Sequence, residues 1–476
     1  MENSPESSIF KNKILQFFDH TPTVDQHILL DELEKFLKNK EPQQVFILKG
    51  FAGTGKTSVL GAFVKTLTFF KVKSRLLAPT GRAAKILSLK SEKEAFTIHK
   101  QIYRRNSKVD EFSGMMLAPN LQTNTVFIVD EASMIGDYSV SKDGNISARN
   151  LLDDLIEYVF TGKNCKLILL GDEGQLPPVG CEYSPALDKN YLKNNYLSIN
   201  ISEFSLTKVL RQADESGILF NATKLRSLED DEQPVFDSNG YSDFIHLAGD
   251  EFQDSLESSY SNFGVEDTII ITRSNKRANA YNNQIRARLL WHEEPLCSGD
   301  CLMVVKNNYY WIDDQSKMGF IANGESLKVI RVKKIEELYG FEFATIILKF
   351  VDYDELQEME AIVFMESLQV EAPSITRNRM KELFFAVEQD YLHEKNKKKR
   401  YELILKNPYF NALQVKYAYA ITCHKSQGGQ WAHVYIDQGF IDPESINKEY
   451  HRWLYTAITR ASEKLYLVNF PKENFS

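Results

Sequence analysis

The chain alternates short apolar runs with polar or glycine-rich turns and helical patterns. The runs lie at residues 45–49, 75–78, 126–129, 166–170, 268–271, 434–436 and 465–468. Continuous apolar strands that alternate with helices are typical of parallel sheets covered on both faces. The pattern therefore predicts two α/β domains, one in each half of the chain.

Residues 299–407 interrupt the second set of runs with a different pattern. The segments LKVIRVKKI, FATIILKF and AIVFM alternate in the manner of half-buried antiparallel strands, which predicts a small inserted β-barrel. Residues 374–405 are helical in pattern, and we expect them to project from the body. A shorter insertion at residues 101–124 contains DEFSG, which is typical of a hairpin turn.

Composition excludes several classes of protein. The chain has 476 residues, 43% hydrophobic and 26% charged, which fits a soluble globular protein with two or more cores. Its five cysteines form no C-x-x-C pair, so neither a disulfide framework nor a cysteine metal site is indicated. No segment approaches the length of a membrane span, and the polar, acidic start lacks the features of a secretory signal. We therefore expect a cytoplasmic protein with no membrane partner.

Charge is unevenly distributed along the chain. The net charge of -8 argues against a nucleic-acid partner. However, residues 71–90 contain six Lys or Arg and no acid, and residues 271–290 contain five and none. A basic run is also commonly a solvated face, and on charge alone both interpretations stay open.

A phosphate-binding motif follows the first apolar run. The segment GFAGTGKT, residues 50–57, matches G-x-x-x-x-G-K-[ST] and precedes a helical pattern. Its backbone N–H groups would cradle phosphates, its lysine would contact the β- and γ-phosphates, and its threonine would ligate Mg²⁺. The predicted ATP-binding residues here are Gly50, Gly53, Thr54, Gly55, Lys56, Thr57 and Ser58.

Two acids end the third apolar run. A P-loop enzyme needs carboxylates on a neighbouring strand to hold the metal and to prepare the attacking water. Asp130 is the predicted Mg²⁺ ligand beside Thr57, and Glu131 is the predicted general base. Together with the P-loop, this pair predicts a nucleoside triphosphatase.

Eight motifs occur in one order along the chain. They are TVDQ (23–26), APTGRAA (78–84), TIH (97–99), DEAS (130–133), GDEGQ (171–175), LRQ (210–212), TCHKSQG (422–428) and YTAITR (455–460). With the P-loop, this series resembles the RecD-like and Dda-like helicases of superfamily 1B over nearly the whole chain.

The resemblance implies a fold of two RecA-like P-loop motor domains. The first would comprise residues 1–100 and 125–205, with a β-hairpin at 101–124. The second would comprise residues 206–298 and 408–476, with an SH3-like β-barrel and a helical segment at 299–407.

The resemblance also implies roles in ATP hydrolysis. Gln26 would contact adenine, because its amide offers both a donor and an acceptor. Arg211 and Arg460 would reach the triphosphate from the second domain, with interdomain salt bridges as the alternative. Gln175 would contact the γ-phosphate or the attacking water and so respond to the loss of the phosphate after hydrolysis. The prolines that follow Gln175 would stiffen the loop. A rigid connector between the domains is the alternative for this loop.

Single-stranded DNA would lie across both motor domains. The predicted contacts are Pro79, Thr80, Thr97, His99, Thr422 and His424. In the hairpin, Phe112 or Met115 would stack on the last base pair and so separate the strands, although an ordinary surface loop explains the segment equally well.

The resemblance implies an ATP-dependent DNA helicase that uses Mg²⁺ and moves 5′ to 3′ on single-stranded and forked DNA, in repair or replication. We expect a monomeric motor with a protein partner that recruits it. The alternatives are a translocase that displaces bound proteins and a non-catalytic scaffold. The complete set of catalytic residues argues against the scaffold.

Overall fold

The first α/β domain is built on a six-stranded, all-parallel sheet of order β3-β2-β6-β7-β1-β8. The computed structural model describes residues 5–18, 21–105, 115–137, 150–209, 216–312, 320–353 and 356–476. The helices of this domain are α1 (Pro5–Leu15), α2 (Val24–Lys38), α3 (Lys56–Phe69), α4 (Gly81–Ser91), α5 (Ile98–Ile102), α6 (Leu151–Thr161) and α7 (Lys189–Asn195). Its strands are β1 (Gln44–Gly50), β2 (Lys73–Ala78), β3 (Ala95–Thr97), β4 (Tyr103–Arg105), β5 (Met115–Leu117), β6 (Thr125–Val129), β7 (Lys166–Gly171) and β8 (Asn200–Leu206).

Strand β1 is apolar on both faces because it lies between two layers of helices. Val45 and Ile47 enter a core that includes helix α6, whereas Phe46 and Leu48 enter a separate core that includes α2 and α3. A strand between two helical layers buries both faces, so it loses the polar alternation of a half-exposed strand. The carboxyl end of β1 carries the P-loop, and that of β6 carries Asp130.

Two short strands form a ribbon at the shorter insertion. Strands β4 and β5 pair antiparallel, with Tyr103 opposite Leu117 and Arg105 opposite Met115. The proposed tip between them, including Phe112, lies outside the described residues.

The second α/β domain has a five-stranded parallel sheet of order β16-β10-β17-β18-β9. Its elements before the insertion are α8 (Gly217–Leu225), β9 (Phe244–Leu247), α9 (Phe252–Phe263), β10 (Thr268–Thr272) and α10 (Asn275–Arg288). All seven apolar runs predicted as strands are strands in the two parallel sheets. The predicted α/β class is therefore confirmed.

The insertion is an antiparallel sheet of order β14-β13-β12-β11-β15. Its elements are β11 (Cys301–Val304), β12 (Ser326–Leu338), β13 (Phe341–Phe350), β14 (Met359–Phe364), α11 (Arg377–Glu388), α12 (Lys397–Leu405) and β15 (Val415–Tyr417). A bridge between Val363 and Leu413 joins strand β14 to the residues just before β15, so the two edges of the sheet meet. The insertion therefore extends to β15, past residue 407, where the sequence analysis placed its end.

The chain then returns to the second domain. The remaining elements are β16 (Ala420–Thr422), α13 (Cys423–Ser426), β17 (Trp431–Asp437), α14 (Lys448–Ile458) and β18 (Ala461–Val468). None of the helices in the described ranges is long and apolar enough to cross a membrane.

The helical part of the insertion does not project from the body, and that expectation is wrong. Leu383 and Val387 of α11 and Ile404 of α12 are buried in one cluster with Phe341 and Phe364 of the antiparallel sheet. The many charges of this segment concealed its sparse apolar positions, which are enough to hold the helices on the sheet.

A buried carboxylate anchors the start of the insertion. Asp300 accepts two hydrogen bonds from Arg286, at 2.9 and 3.0 Å, and others from Tyr419 Oη and the Cys297 N–H. His292 Nδ1 lies 3.0 Å from the same carboxylate. Ligand atoms of His292, Cys297 and Asp300 lie within 4.8 Å of one another. Because Arg286 already neutralises Asp300, we interpret the group as a structural hub that joins α10 to the insertion.

Candidate nucleotide site and nucleic-acid groove

The P-loop joins β1 to α3. Gly53 and Gly55 have φ values of 75° and 81°, a left-handed conformation that favours glycine. Lys56 Nζ donates to the carbonyl of Phe51 at 3.0 Å and to that of Gly50. The lysine therefore lies inside the curl of the loop, where a phosphate chain would bind.

Three other predicted nucleotide contacts differ in exposure. Thr57 is partly buried in the first turn of α3, and Ser58 is exposed. Gln26 is fully buried. Its Oε1 accepts from the Thr23 N–H at 2.9 Å, and its Nε2 donates to the Thr54 carbonyl at 3.2 Å. Gln26 thus ties α2 to the P-loop, and contact with adenine would require its amide to exchange these bonds.

The two acids at the end of β6 lie close to the P-loop. Asp130 Oδ1 accepts the Glu131 N–H at 2.9 Å. Glu131 has a φ of 52°, a strained conformation for a residue with a side chain. Burial raises the pKa of both carboxyls, and the positive charge of Lys56 opposes both shifts. Arg460 of the second domain also opposes the shift in the pKa of Glu131, so this acid faces cations from both domains.

The residues at this site fit ATP with Mg²⁺. The Thr57 hydroxyl and the Asp130 carboxylate are hard oxygen ligands, which Mg²⁺ prefers. Gln175 is 6% exposed, and its Oε1 is buried without a hydrogen-bond partner among the described residues. An unpaired buried acceptor is costly, and a water or hydroxyl beside a phosphate would satisfy it.

The residue after Gln175 is held by the second domain. The Leu176 N–H donates to Thr456 Oγ1 of α14 at 2.8 Å. The Leu176 carbonyl accepts from Gln427 Nε2 at 2.7 Å. A shift at Gln175 would therefore pass directly to two elements of the second domain.

Arg460 lies at the domain interface and is 4% exposed. Its guanidinium donates to the Thr456 and Gly429 carbonyls and to Thr459 Oγ1, at 3.0 to 3.2 Å. Arg211, the other predicted arginine, lies outside the described residues.

Thr80, Thr422 and His424 come together in one groove of about 680 Å³ between the two domains and the insertion. Burial lowers the pKa of His424. The groove also contains cations that the sequence analysis did not single out, although three of them lie in the basic runs: Arg82, Arg273, Lys276 and Lys425. The only acid among its lining residues is Glu371.

One wall of this groove includes the aromatic ring of Trp431. The Arg82 guanidinium lies 4.1 Å from the Trp431 ring, and its Nη2 donates to the Gln430 carbonyl at 2.8 Å. At Gly428, a Cβ would lie 3.1 Å from the Ala83 Cβ. This close approach of the two domains and the φ of 72° at Gly428 both favour glycine at this position.

The other predicted DNA contacts lie elsewhere. Thr97 is buried, and its Oγ1 caps α5 by accepting the Lys100 N–H at 3.2 Å. His99 lines a second groove, of about 580 Å³, between Tyr103 of the ribbon and Phe320 of the insertion. Burial lowers its pKa to about 4, so it is neutral at physiological pH. Pro79 precedes Thr80 and is not among the lining residues of either groove.

Comparison with known proteins gives two domain matches. The AAA domain family matches residues 33–250, and the UvrD-like helicase C-terminal domain family matches residues 417–468. The first match spans the P-loop and Gln175, and the second spans Gln427 and Arg460.

The similar proteins are distant in sequence. An uncharacterized protein of Acanthamoeba polyphaga mimivirus is 24% identical over 92% of this chain and 98% of its own length. The ATP-dependent DNA helicase dda of Enterobacteria phage T4 is 26% identical over 62% of this chain and 64% of its own length. The crystal structure of Pif1 helicase from Candida albicans superposes with a TM-score of 0.45 at 16% identity, covering 96% of each chain.

The two domain matches occur in the order that the motifs predict. An AAA domain carries the P-loop and the acid pair, and a UvrD-like helicase C-terminal domain carries the residues that reach it from the other side. The chain thus combines an AAA domain match with a UvrD-like helicase C-terminal domain match, and it is similar to the ATP-dependent DNA helicases dda and RecD2.

Proposed function

We propose that the protein is an ATP-dependent DNA helicase that moves along single-stranded DNA from 5′ to 3′. One observation carries the proposal. Leu176 follows the predicted phosphate sensor Gln175, and its peptide groups bond to Thr456 and Gln427 of the second domain. Gln427 also lines the basic groove. The predicted phosphate sensor and the groove are therefore joined through one peptide group and one hydrogen bond.

The chain's own residues divide the work of hydrolysis. Lys56 would bind the phosphate chain, and Glu131 would accept a proton from the attacking water. Gln175 would orient that water, while Arg460 would neutralise charge that develops on the phosphoryl group. Mg²⁺ held by Thr57 and Asp130 would supply charge neutralisation at the phosphate oxygens. Loss of the phosphate would release Gln175 and change the domain contact at Leu176.

The two grooves form a proposed path for single-stranded DNA. Arg273, Lys276 and Lys425 would contact phosphates in the larger groove, beside Arg82, which lies over the buried ring of Trp431. Such contacts bind the strand without selecting its sequence, which suits a motor that must move along any DNA.

The insertion and the β4–β5 ribbon would form the strand-separating end. Tyr309 and Phe320 of the insertion line the second groove together with His99, Tyr103 and Arg104 beside the ribbon. We infer that the insertion acts as an SH3-like barrel that holds the strand against the ribbon, with Phe112 as the wedge. Because one chain supplies both sides of the nucleotide site, a monomeric motor is sufficient.

The test is unwinding of tailed duplexes. A duplex with a 5′ single-stranded tail should be unwound in the presence of ATP and Mg²⁺, and single-stranded DNA should strongly raise ATP hydrolysis. A blunt duplex is the control. Unwinding from a 3′ tail alone would reverse the polarity. DNA-stimulated hydrolysis without unwinding, but with displacement of a protein block, would favour the translocase.

DNA affinity should depend on pH through Lys425. Burial, with the nearby charge of Lys416, lowers the pKa of Lys425 to about 8. Its charge is therefore complete near pH 7 and is lost as pH rises through 8. Since phosphate binds the charged form, single-stranded DNA should bind up to about tenfold more weakly at pH 9 than at pH 7, as fluorescence anisotropy would measure.

The matched control is Lys425→Arg. Arginine keeps its charge above pH 12, so this variant should retain only the pH dependence of other groups, such as Lys416, whose pKa is also lowered by burial to about 8. Equal pH profiles for the wild type and the arginine variant would exclude Lys425 as the titrating contact.

A further inference from the structure

A second-domain arginine outside the recognised motifs faces the P-loop. Arg226 directly follows helix α8, and its guanidinium carbon lies 3.9 Å from the centre of the Phe51 ring. Phe51 is the second residue of the P-loop, so the guanidinium covers the start of the loop from the opposite domain. Val209 and Leu219 pack on the same loop, because a Cβ at Gly53 would lie 3.1 to 3.3 Å from their side chains.

The guanidinium of Arg226 has unused donors. Its Nε and Nη1 are buried, and neither has a hydrogen-bond partner in the described part of the chain. The side chain as a whole is partly exposed, but two buried donors without a partner are unfavourable. Phe51 contributes a cation–π contact but accepts no conventional hydrogen bond. An anion with oxygen acceptors would satisfy both donors.

The neighbouring groups identify that anion. Tyr455 Oη accepts the Ala52 N–H at 2.8 Å and donates to Asp172 Oδ2 at 2.7 Å. Lys56 Nζ lies 3.9 Å from the same carboxylate oxygen. Because the P-loop lysine contacts the β- and γ-phosphates, Tyr455 marks the terminal-phosphate end of the loop.

Arg226 belongs to the same cluster. Burial raises the pKa of Tyr455, and the positive charge of Arg226 opposes that shift. The guanidinium is therefore close enough to the Tyr455 hydroxyl to act on it electrostatically. Arg460 differs, because its guanidinium already donates to Thr456, Gly429 and Thr459.

We propose that Arg226 is a further nucleotide-binding residue, whose Nε and Nη1 donate to oxygens of the terminal phosphate of ATP while Phe51 supports the guanidinium plane. The inference rests on the proposed ATPase function. It makes Arg226 a contact that distinguishes ATP from ADP, since ADP lacks the phosphate that this side chain would bind.

The test compares two nucleotides in Arg226→Ala. Affinity for ATPγS with Mg²⁺ should fall about tenfold or more, because charge-assisted hydrogen bonds are lost, whereas affinity for ADP should change about twofold or less. Titration calorimetry on the full chain gives both values. Equal losses for the two nucleotides, or no loss for either, would overturn the proposal.

Thermal unfolding without nucleotide separates binding from structure. Removing two buried donors that have no partner should leave the melting temperature unchanged or raise it, whereas a purely structural cation–π role predicts a decrease. Arg226→Gln keeps a polar end group without the charge and provides the same comparison if the alanine variant cannot be purified. A decrease together with equal nucleotide losses would assign Arg226 to folding alone.

Arg379→Ala is the matched control. Arg379 also lies over a phenylalanine, 4.2 Å from the Phe341 ring centre, but Glu366 and Glu382 satisfy its guanidinium. Its loss should leave both nucleotide affinities unchanged. DNA-stimulated hydrolysis of the wild type is measured in parallel. Its absence would refute the proposed function, whereas an active wild type with an unaffected Arg226→Ala would refute only this inference.

Discussion

Replacement of Glu131 by glutamine should lower DNA-stimulated ATP hydrolysis about 100- to 10,000-fold, the usual contribution of a general base. Glutamine keeps the size of the side chain and its polarity but cannot accept the proton of the attacking water. The strained backbone at Glu131 and the cations that face it from both domains hold this side chain at the P-loop. ATP binding should persist, so calorimetry with ATPγS should show little change.

Glu203→Gln is the control for this substitution. Glu203 lies on β8 of the same domain and pairs with Lys49 at 2.6 Å, away from the acid pair. Its replacement should change hydrolysis by less than about twofold, because Lys49 keeps a second partner in Glu173, at 3.4 Å. Comparable hydrolysis by Glu131→Gln and the wild type would assign the base to another residue.

Replacement of Asp300 by alanine should destabilise the second domain and its insertion. The change leaves Arg286, whose side chain is 7% exposed, without its counter-ion. Breaking a buried ion pair typically costs about 3–5 kcal/mol, which corresponds to a melting temperature roughly 6–20 °C lower for a unit of this size. Calorimetry of the full chain should show the loss in the transition of this unit, with the first domain unaffected.

A surface pair nearby gives the comparison. Lys328 of the insertion and Glu266 of the second domain form an exposed ion pair at 2.7 Å. Glu266→Ala should cost less than about 1 kcal/mol, because solvent screens the pair. If Asp300→Ala and Glu266→Ala shifted the transition equally, the Asp300 hub would not be the anchor of the insertion.

The fold was largely predictable because its signal is local. Each strand of a covered parallel sheet needs a continuous apolar run, and the seven runs were visible one by one. The strand β15 was missed because three residues carry no measurable periodicity. The packing of α11 and α12 was missed because periodicity reports that a residue is buried but not what covers it.

The residues of the nucleotide site also differ in how far the sequence predicted them. Lys56, Asp130 and Gln175 each lie in a motif of consecutive residues, and the structure brings the three motifs to one edge of the first sheet. Thr456 and Arg226 act across the domain boundary. Leu176 and Thr456, for example, are 280 residues apart. Thr456 lies in the YTAITR motif, but the pairing of such distant residues leaves no local pattern in the sequence.

The bond between Leu176 and the second domain is made by main-chain atoms. The hydrogen bonds therefore require the side chains of Thr456 and Gln427, whereas the side chain at 176 needs only to fill a buried apolar space. A relative with another aliphatic residue at this position would keep both hydrogen bonds to the second domain. A comparison of side chains alone would therefore overlook Leu176 as the residue that couples this loop to the second domain.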